Sequence, residues 1–373
     1  MKDTYFTINT YDKLPSEFID LPKHIFRNEE NFTKPLDLDV KKNLDFDKHP
    51  YWKGVVRRIF VVSKNGELLG RGMAIYNPKH FEVHGERAGF FGFLDTVNNQ
   101  EIFNELLEYI KNFLKQNECT KMVGPLNPSI NYELGVLTSG YNLPNFYMMA
   151  YNPPYYMKLY DSAGFDVEAE FSAFKTANVI NLERINRVRS LIQKKYKAEI
   201  KEFNYSDFKN SVRQICEIYN DAFKDHYGYL PMSFDEFYYI AKDMKLIMDK
   251  RLLYLVTVNG EVVGFILALP NLNEVIAKLK NGKLNLLNLL KFLYYKRKIK
   301  HVKVMIAAIK QKYTHMGLGS LLYSEMACRV YNFGYKGAEI GWVSSENVKM
   351  LKAVKDMGGV RTKTYALYSK EIK

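Results

Sequence analysis

The chain has 373 residues, 47% of them apolar, 25% charged and 14% aromatic, which excludes a mainly disordered, collagen-like or polar low-complexity protein. Its length fits two compact domains, or one large domain carrying an insertion. The net charge of +13, from 54 Lys+Arg against 41 Asp+Glu, favours anionic partners such as nucleic acid, phosphate-rich cofactors or acidic lipid surfaces, or else a Lys-rich solubilising surface.

In chain order, the start MKDTYFTINTYDKLPSEF lacks the apolar core of a signal peptide. Residues 60–77, FVVSKNGELLGRGMAIYN, place alternating apolar strands on either side of Asn65-Gly66, a β-hairpin with a type I′ turn. Ala88–Leu94 then reads as a strand, Glu101–Gln116 as a helix and Lys121–Val123 as a strand leading into GPLNPSINYELG. Asn152 opens NPPYYMKLYDSAGF, a helix-like stretch ending at Gly164, and a basic helical segment over Asn178–Lys197 joins this half of the chain to the next. The same order then returns. Residues 254–271, YLVTVNGEVVGFILALPN, form a second hairpin around Asn259-Gly260. Val302–Ile309 is a strand, Gly319–Phe333 a helix and Ala338–Val343 a strand, and Asn347 opens NVKMLKAVKDMGGV, which ends at Gly359. No run of about 18 uncharged apolar residues predicts a transmembrane helix.

Aligned without gaps, the two hairpins share Val62/Val256, Asn65/Asn259, Gly66/Gly260, Glu67/Glu261, Gly70/Gly264, Ala74/Ala268 and Asn77/Asn271. Their offset is 194 positions (65 to 259), and that of the Asn-led segments is 195 (152 to 347). Two ordered matches at nearly one offset indicate a duplicated domain. The expected architecture is α/β in the α+β sense: two copies, each a mixed, mostly antiparallel sheet flanked by helices. The expected boundaries are 1–177 for the first copy, 178–200 for a linker helix and 201–373 for the second.

Only the second copy carries Lys310-Gln-Lys-Tyr-Thr-His-Met-Gly-Leu-Gly319 between strand and helix. Glycines there allow a sharp turn that exposes backbone N–H groups at a helix start, a phosphate cradle to which Lys310 and Lys312 add charge; a plain strand-to-helix turn is the alternative. The first copy has Asp95-Thr-Val-Asn-Asn instead, a poor cradle. Hairpin, strand, glycine loop, helix, strand and Asn-led helix together resemble the GNAT acyl-CoA N-acyltransferase fold, whose loop reads Q/R-x-x-G-x-G/A. Thr314-His-Met-Gly317-Leu-Gly319 matches it except at Thr314. Across most of its length the chain resembles the YghO-like tandem-GNAT acyltransferases of bacteria, through LPKHIFRNEENFTKPL, GPLNPSINYELG, YNPPYY and EIGWVSSEN...GG...KTYALY.

The resemblance implies acyl transfer from acetyl-CoA or a longer acyl-CoA to a primary amine, a long-chain sphingoid-like base among the candidates. It places the pantetheine arm along the end of the strand at Ile309, the pyrophosphate on Gly317, Leu318 and Gly319, and further cofactor contacts at Thr314, His315, Met316 and Asn347. The family's late-helix tyrosine acid falls at Val354 or Lys355, so that role is vacant; the first copy keeps Tyr160 at the matching place, where without a phosphate loop beside it a structural role is expected, and Tyr365 and Tyr368 on the last strand are the remaining candidates, with packing as the alternative. Glu339, beginning its strand, is the candidate proton acceptor, with a sheet-edge ion pair to Lys336 as the alternative. Glu346 is expected to cap the helix after it, with a catalytic role as the alternative. In the first copy Asn127, Asn131 and Glu133 are candidates to orient a polar acceptor head, and Tyr147, Tyr155 and Tyr156 to wall a pocket; turn-shaping and interface packing are the other reading.

The second copy also inserts Asn271–Lys300. Between Val275 and Lys303 it holds nine Lys or Arg and no Asp or Glu, with Leu284, Leu286, Leu287, Leu289, Leu290, Phe292 and Leu293 forming an apolar face. Such a basic amphipathic helix reads as membrane-surface or acyl-chain contact, or as a helix packed on the other domain. Three scattered cysteines, Cys119, Cys216 and Cys328, form no CxxC pair, and seven histidines no ligand spacing, so no disulfide framework and no metal is expected. The expected location is cytoplasmic, with peripheral contact at the inner membrane face. Two other readings stay open: a Fem-like aminoacyl-tRNA-dependent transferase, and a non-catalytic module that binds CoA. No nucleic-acid-reading motif is present, so no nucleic-acid partner is expected.

Overall fold

The computed structural model describes residues 6–177, 182–279 and 283–373. The first residues of the expected linker (178–181), three residues of the basic insertion (280–282) and the first five residues of the chain lie outside the described residues. The protein divides into two compact units. One comprises Met1–Ser172, Ile276–Leu293 and Thr362–Lys373, the other Ala173–Val275 and Tyr294–Arg361.

The first unit contains β1 (Thr7–Tyr11), α1 (Ser16–Ile25), α2 (Asp37–Asn43), β2 (Val56–Lys64), β3 (Glu67–Tyr76), α3 (Pro78–His84), β4 (Ala88–Thr96), α4 (Gln100–Gln116) and β5 (Lys121–Gly124). Short strands β6 (Leu126–Asn127), β7 (Glu133–Leu134) and β8 (Val136–Ser139), then α5 (Tyr155–Ser162) and the start of β9 (Asp166–Ala177), come next. In the second unit come α6 (Leu182–Tyr196), β10 (Ala198–Glu202), α7 (Phe208–Phe223), α8 (Phe234–Ile247), β11 (Leu253–Val258), β12 (Glu261–Pro270) and α9 (Asn273–Ile276). The chain continues through α10 (Leu286–Lys296), β13 (His301–Ile309), α11 (Leu318–Asn332), β14 (Gly337–Ser344), α12 (Val348–Asp356) and β15 (Val360–Glu371).

The duplication is a repeat of register as well as of sequence. Antiparallel pairs β1–β2, β2–β3 and β3–β4 lead to parallel β4–β5, and β10–β11, β11–β12, β12–β13 and β13–β14 repeat the order. At both hairpin turns Asn and Gly adopt positive φ, 50° and 83° at Asn65-Gly66 and the same at Asn259-Gly260, as a type I′ turn requires. Both hairpins then shift register at one matching place, between Val62/Ser63 and between Val256/Thr257.

Each unit is a mixed, mostly antiparallel sheet with helices against it. In the first, α4 starts where the Asn99 side chain accepts the Ile102 N–H, and its stripe of Ile102, Phe103, Leu106, Leu107, Ile110 and Leu114 is buried. Tyr160 and Tyr368 stack at 4.4 Å and 8° in that core, with Phe91, Phe103 and Phe165 around them. The first unit takes its closing strand from the far end of the chain: β15 pairs antiparallel with β5, from Tyr368↔Gly124 to Glu371↔Lys121, and with β8. In the second unit every residue of β11 is buried, as a central strand covered on both faces demands, and Tyr254 donates to the Leu322 carbonyl at 2.6 Å.

The two Asn-led segments differ. Asn347 caps α12, its Oδ1 accepting the Met350 N–H at 3.0 Å, so the cap is Asn347 and not Glu346. Asn152 caps nothing: it is buried and exchanges hydrogen bonds with both backbone groups of Leu137, bracing β8, while α5 starts at Tyr155. The left-handed residue that stops α12 is Gly358 (φ 79°).

Candidate functional site

The second unit opens where its parallel strands part. The β13–β14 ladder runs from His301↔Gly337 to Val304↔Ile340, and β13 then continues to Ile309 past an irregularity at Met305. An extended ligand bearing amides can pair with strand backbone left outside a ladder. At the end of β13 the chain turns through Lys310 into a 3-10 turn, Gln311–Met316, and reaches α11 at Gly317. Gly317 has φ 72°, a region costly for other L-residues, and no side chain caps the helix start it forms. Gly319 is different: a Cβ there would come no closer than 3.8 Å to protein, at Ile309 Cδ1. The fold therefore demands glycine at 317 and has room for a side chain at 319, in ordinary contact with Ile309. An uncapped helix start of this kind presents N–H donors and the positive end of the helix dipole to an anion.

The rest of the loop is held by carboxylates. Glu261, the first residue after the hairpin turn, accepts from Tyr313 Oη at 2.6 Å and pairs with Lys310 at 2.9 Å and Lys312 at 3.4 Å. The Tyr313 hydrogen bond, with Lys310 and Lys312, pushes the Glu261 carboxyl down to about 2. The two lysines expected to add charge for a phosphate are thus already partnered. Gln311 donates its N–H to Asp221 at 2.7 Å, and the Thr314 hydroxyl donates to the Gln311 carbonyl at 2.9 Å, so Thr314 closes the turn on itself. His315 is exposed, Met316 half-buried, and Leu318 fully buried as the anchor of the helix start.

Glu339 lies inside the sheet, 2% exposed, with Lys303 as its register partner on β13, itself 1% exposed. The Lys303 Nζ also lies 4.6 Å from the centre of the Trp342 ring. Glu339 is therefore no sheet-edge residue: it is buried, and its register partner across the ladder is a buried lysine. Val354, where the resemblance places a tyrosine acid, is fully buried.

The first unit fills the equivalent places with its own atoms. Past the short β4–β5 ladder, the Phe93 N–H is taken by Asn127 Oδ1, and Asn127 Nδ2 donates to Glu133 Oε1 at 2.7 Å. Where a phosphate loop would sit, Arg71 pairs with Asp95 at 2.6 Å, and Tyr155 and Tyr156 hydrogen-bond the backbone of Thr96. Burial raises the Asp95 carboxyl above the usual range, against the pull of Arg71. Tyr156 is a core residue, 2% exposed, so it does not wall a pocket; Tyr155 is half-buried. Asn131 donates its N–H to Ser129 Oγ at 3.3 Å, and Tyr147 donates to Asp39 at 3.2 Å. Tyr365 belongs to this unit, buried at register with Leu137, while Glu339 belongs to the second. Sequence reasoning missed His49, which is buried, accepts the Tyr51 N–H on Nδ1 at 3.2 Å and packs 5.8 Å from Tyr132 of the Asn-rich loop. The run His-Pro-Tyr-Trp at 49–52 was its only signal.

No protein-family model matches the sequence. A protein of Caulobacter vibrioides (strain NA1000 / CB15N) named bacterial ceramide synthase is 29% identical over 371 residues, covering 96% of each chain. Protein YghO of Escherichia coli (strain K12) is 24% identical over 363 residues, 95% of this chain and 92% of that one. Among solved structures, a tandem GNAT protein from the clavulanic acid biosynthesis pathway matches with a TM-score of 0.58 at 11% identity, over 99% of both chains. This chain has the tandem-GNAT fold. In this tandem-GNAT protein the uncapped glycine start belongs to the second copy, and the first copy closes the equivalent place with Asn99, Arg71 and Tyr156.

Proposed function

We propose that this tandem-GNAT protein moves an acyl group from a CoA thioester to the primary amine of a long-chain, sphingoid-like base. The observation that carries the donor assignment is the helix start at Gly317, uncapped and lying at the end of the splayed strand β13. The acceptor class rests on the name of the Caulobacter relative, since a ceramide is the N-acyl product of such a base. Gly317, Leu318 and Gly319 are assigned to the pyrophosphate, with Thr314, His315 and Met316 shaping the turn before them. Ile309 lies along the pantetheine arm, and Asn347, whose Oδ1 caps α12, is assigned the further cofactor contact. The second unit serves the donor, and Asn127, Asn131, Glu133 and Tyr147 of the first serve the acceptor.

In the reaction the neutral amine nitrogen bonds to the thioester carbonyl carbon, the C–S bond breaks, and the nitrogen gives up a proton as the thiolate gains one. Glu339 is the assigned proton acceptor, directly or through water. A thiol of pKa about 8.5 leaves readily near neutral pH, so solvent suffices to protonate it, and Val354 in place of a tyrosine is no obstacle. That same valine favours a second reading, a CoA-binding protein without turnover.

Calorimetric titration with acetyl-CoA and palmitoyl-CoA tests the donor. Wild type is expected to bind, and Gly319→Glu to fold normally and lose binding, because a Cβ at 319 meets nothing closer than an ordinary contact and the new carboxylate opposes pyrophosphate. If neither thioester binds wild type, the donor assignment fails. Thiol release with palmitoyl-CoA and sphinganine tests turnover, and Glu339→Gln is expected to slow it about 100-fold or more with thioester binding unchanged. Binding without release would favour the second reading.

A further inference from the structure

α10 is built inside out. Leu286, Leu287, Leu290 and Leu293 are 74%, 70%, 58% and 54% exposed and Tyr294 57%, whereas Asn288 is buried. At about 100° per residue the exposed set, with Leu289, spans an arc of roughly 160°, and Asn288 lies opposite its centre. The inward asparagine is satisfied locally: its N–H donates to Asn285 Oδ1 at 2.9 Å and its Nδ2 to the Lys283 carbonyl at 2.7 Å. A helix whose role was to fill the protein interior would present the leucines inward. Contiguous exposed leucines on this scale mark a surface that something else covers.

The charges around the face identify the cover. Lys291 flanks one side of the leucine arc and Lys296 the other. Lys278, Lys283, Lys291, Arg297, Lys298 and Lys300 are exposed, and no acid occurs from Val275 to Lys303. Lys296 Nζ donates to the Leu246 carbonyl at 3.0 Å, which ties the helix end to another exposed leucine (71%) at the end of α8. A second copy of the chain docked here about a two-fold axis would set cations against cations. A lone acyl chain needs the leucines and has no use for the cations. Among the described residues no helix is long and apolar enough to cross a membrane.

We infer that α10 is an interfacial helix that seats the protein on an anionic bilayer, leucines at the headgroup–acyl boundary and lysines among the lipid phosphates. This goes beyond the donor assignment and does not rest on it. The test is co-sedimentation of the full-length protein, without CoA, with sucrose-loaded vesicles of phosphatidylcholine alone or with phosphatidylglycerol at three to one. Wild type is expected to pellet with the mixed vesicles at least tenfold more tightly than with phosphatidylcholine, and to be released at about 1 M salt, where the Debye length is about 3 Å. The double substitution Leu287→Glu, Leu290→Glu changes two side chains that stand in solvent. It is expected to reduce vesicle binding at least tenfold, with the thermal midpoint and any thioester affinity unchanged. Failure of wild type to bind mixed vesicles, or equal binding by the double variant, overturns the inference. So does a wild-type dimer in sedimentation velocity that the double variant converts to monomer without any vesicle binding, which would make a second copy the occupant.

Discussion

Tyr160 and Val354 occupy matching positions near the ends of α5 and α12, and both are fully buried. The resemblance left a gap at Val354, and without a phosphate loop beside it Tyr160 reads as structural; the packing makes both core residues. Tyr160 lies in an aromatic cage, and its hydroxyl has no hydrogen-bond partner among the described residues. An unsatisfied buried hydroxyl costs roughly 1–3 kcal/mol, so Tyr160→Phe is expected to stabilise the protein by about 1 kcal/mol and leave turnover unchanged. Urea unfolding checks this, and a loss of stability would show that the hydroxyl is bonded after all. Tyr156 teaches a related lesson. Its sequence neighbourhood, YNPPYY, is as polar as a pocket wall, and nothing local reveals that its hydroxyl reaches Thr96, sixty positions earlier.

At the scale of elements, strands and helices were legible because their signals are local. Asn-Gly sets a hairpin by its own backbone preferences, and Val302–Ile309 and Ala338–Val343 match β13 and β14 to within a residue. The conformation of the 310–317 loop was not legible, because it is fixed by Glu261, forty-nine positions from Lys310 and next to the turn of another hairpin. The same glutamate is shared by both hairpins as Glu67 and Glu261, yet only the second copy has a loop for it to hold. Its depressed carboxyl carries a sign. Relative to Glu261→Gln, the wild type gains stability that is fully present above the ordinary glutamate value of 4.5 and is lost as pH falls toward about 2. The difference in thermal midpoint between the two proteins is therefore expected to be small but measurable near neutral pH, since the site is solvent-screened, and to vanish at the acid end. A difference that grows on acidification would contradict the clamp.

For the whole molecule, the repeat was readable because a duplication writes its offset directly into the sequence, while the ownership of the last strand was not. Residues 362–373 come after the second copy in sequence and complete the first unit in space, where Tyr368 stacks on Tyr160 and Lys370 Nζ reaches the Ala163 carbonyl. Removing them is expected to expose the edge of β5 and loosen residues 1–172. Limited proteolysis of the truncated chain should cut there first, while the Gly317 helix start stays intact. Native resistance throughout residues 1–172 would count against a structural role for the strand.

A ribosome releases the chain from its N-terminal end, so the strand that closes the first unit emerges after the other strands of both units. At about 5–20 residues per second, the stretch from residue 172 to residue 362 occupies roughly 10–40 s of synthesis, during which the earlier-made half has a vacant strand position. The half made second has all its strands first, and the half made first matures last. Nascent chains of this protein should therefore depend on holding chaperones until residues 362–373 have emerged.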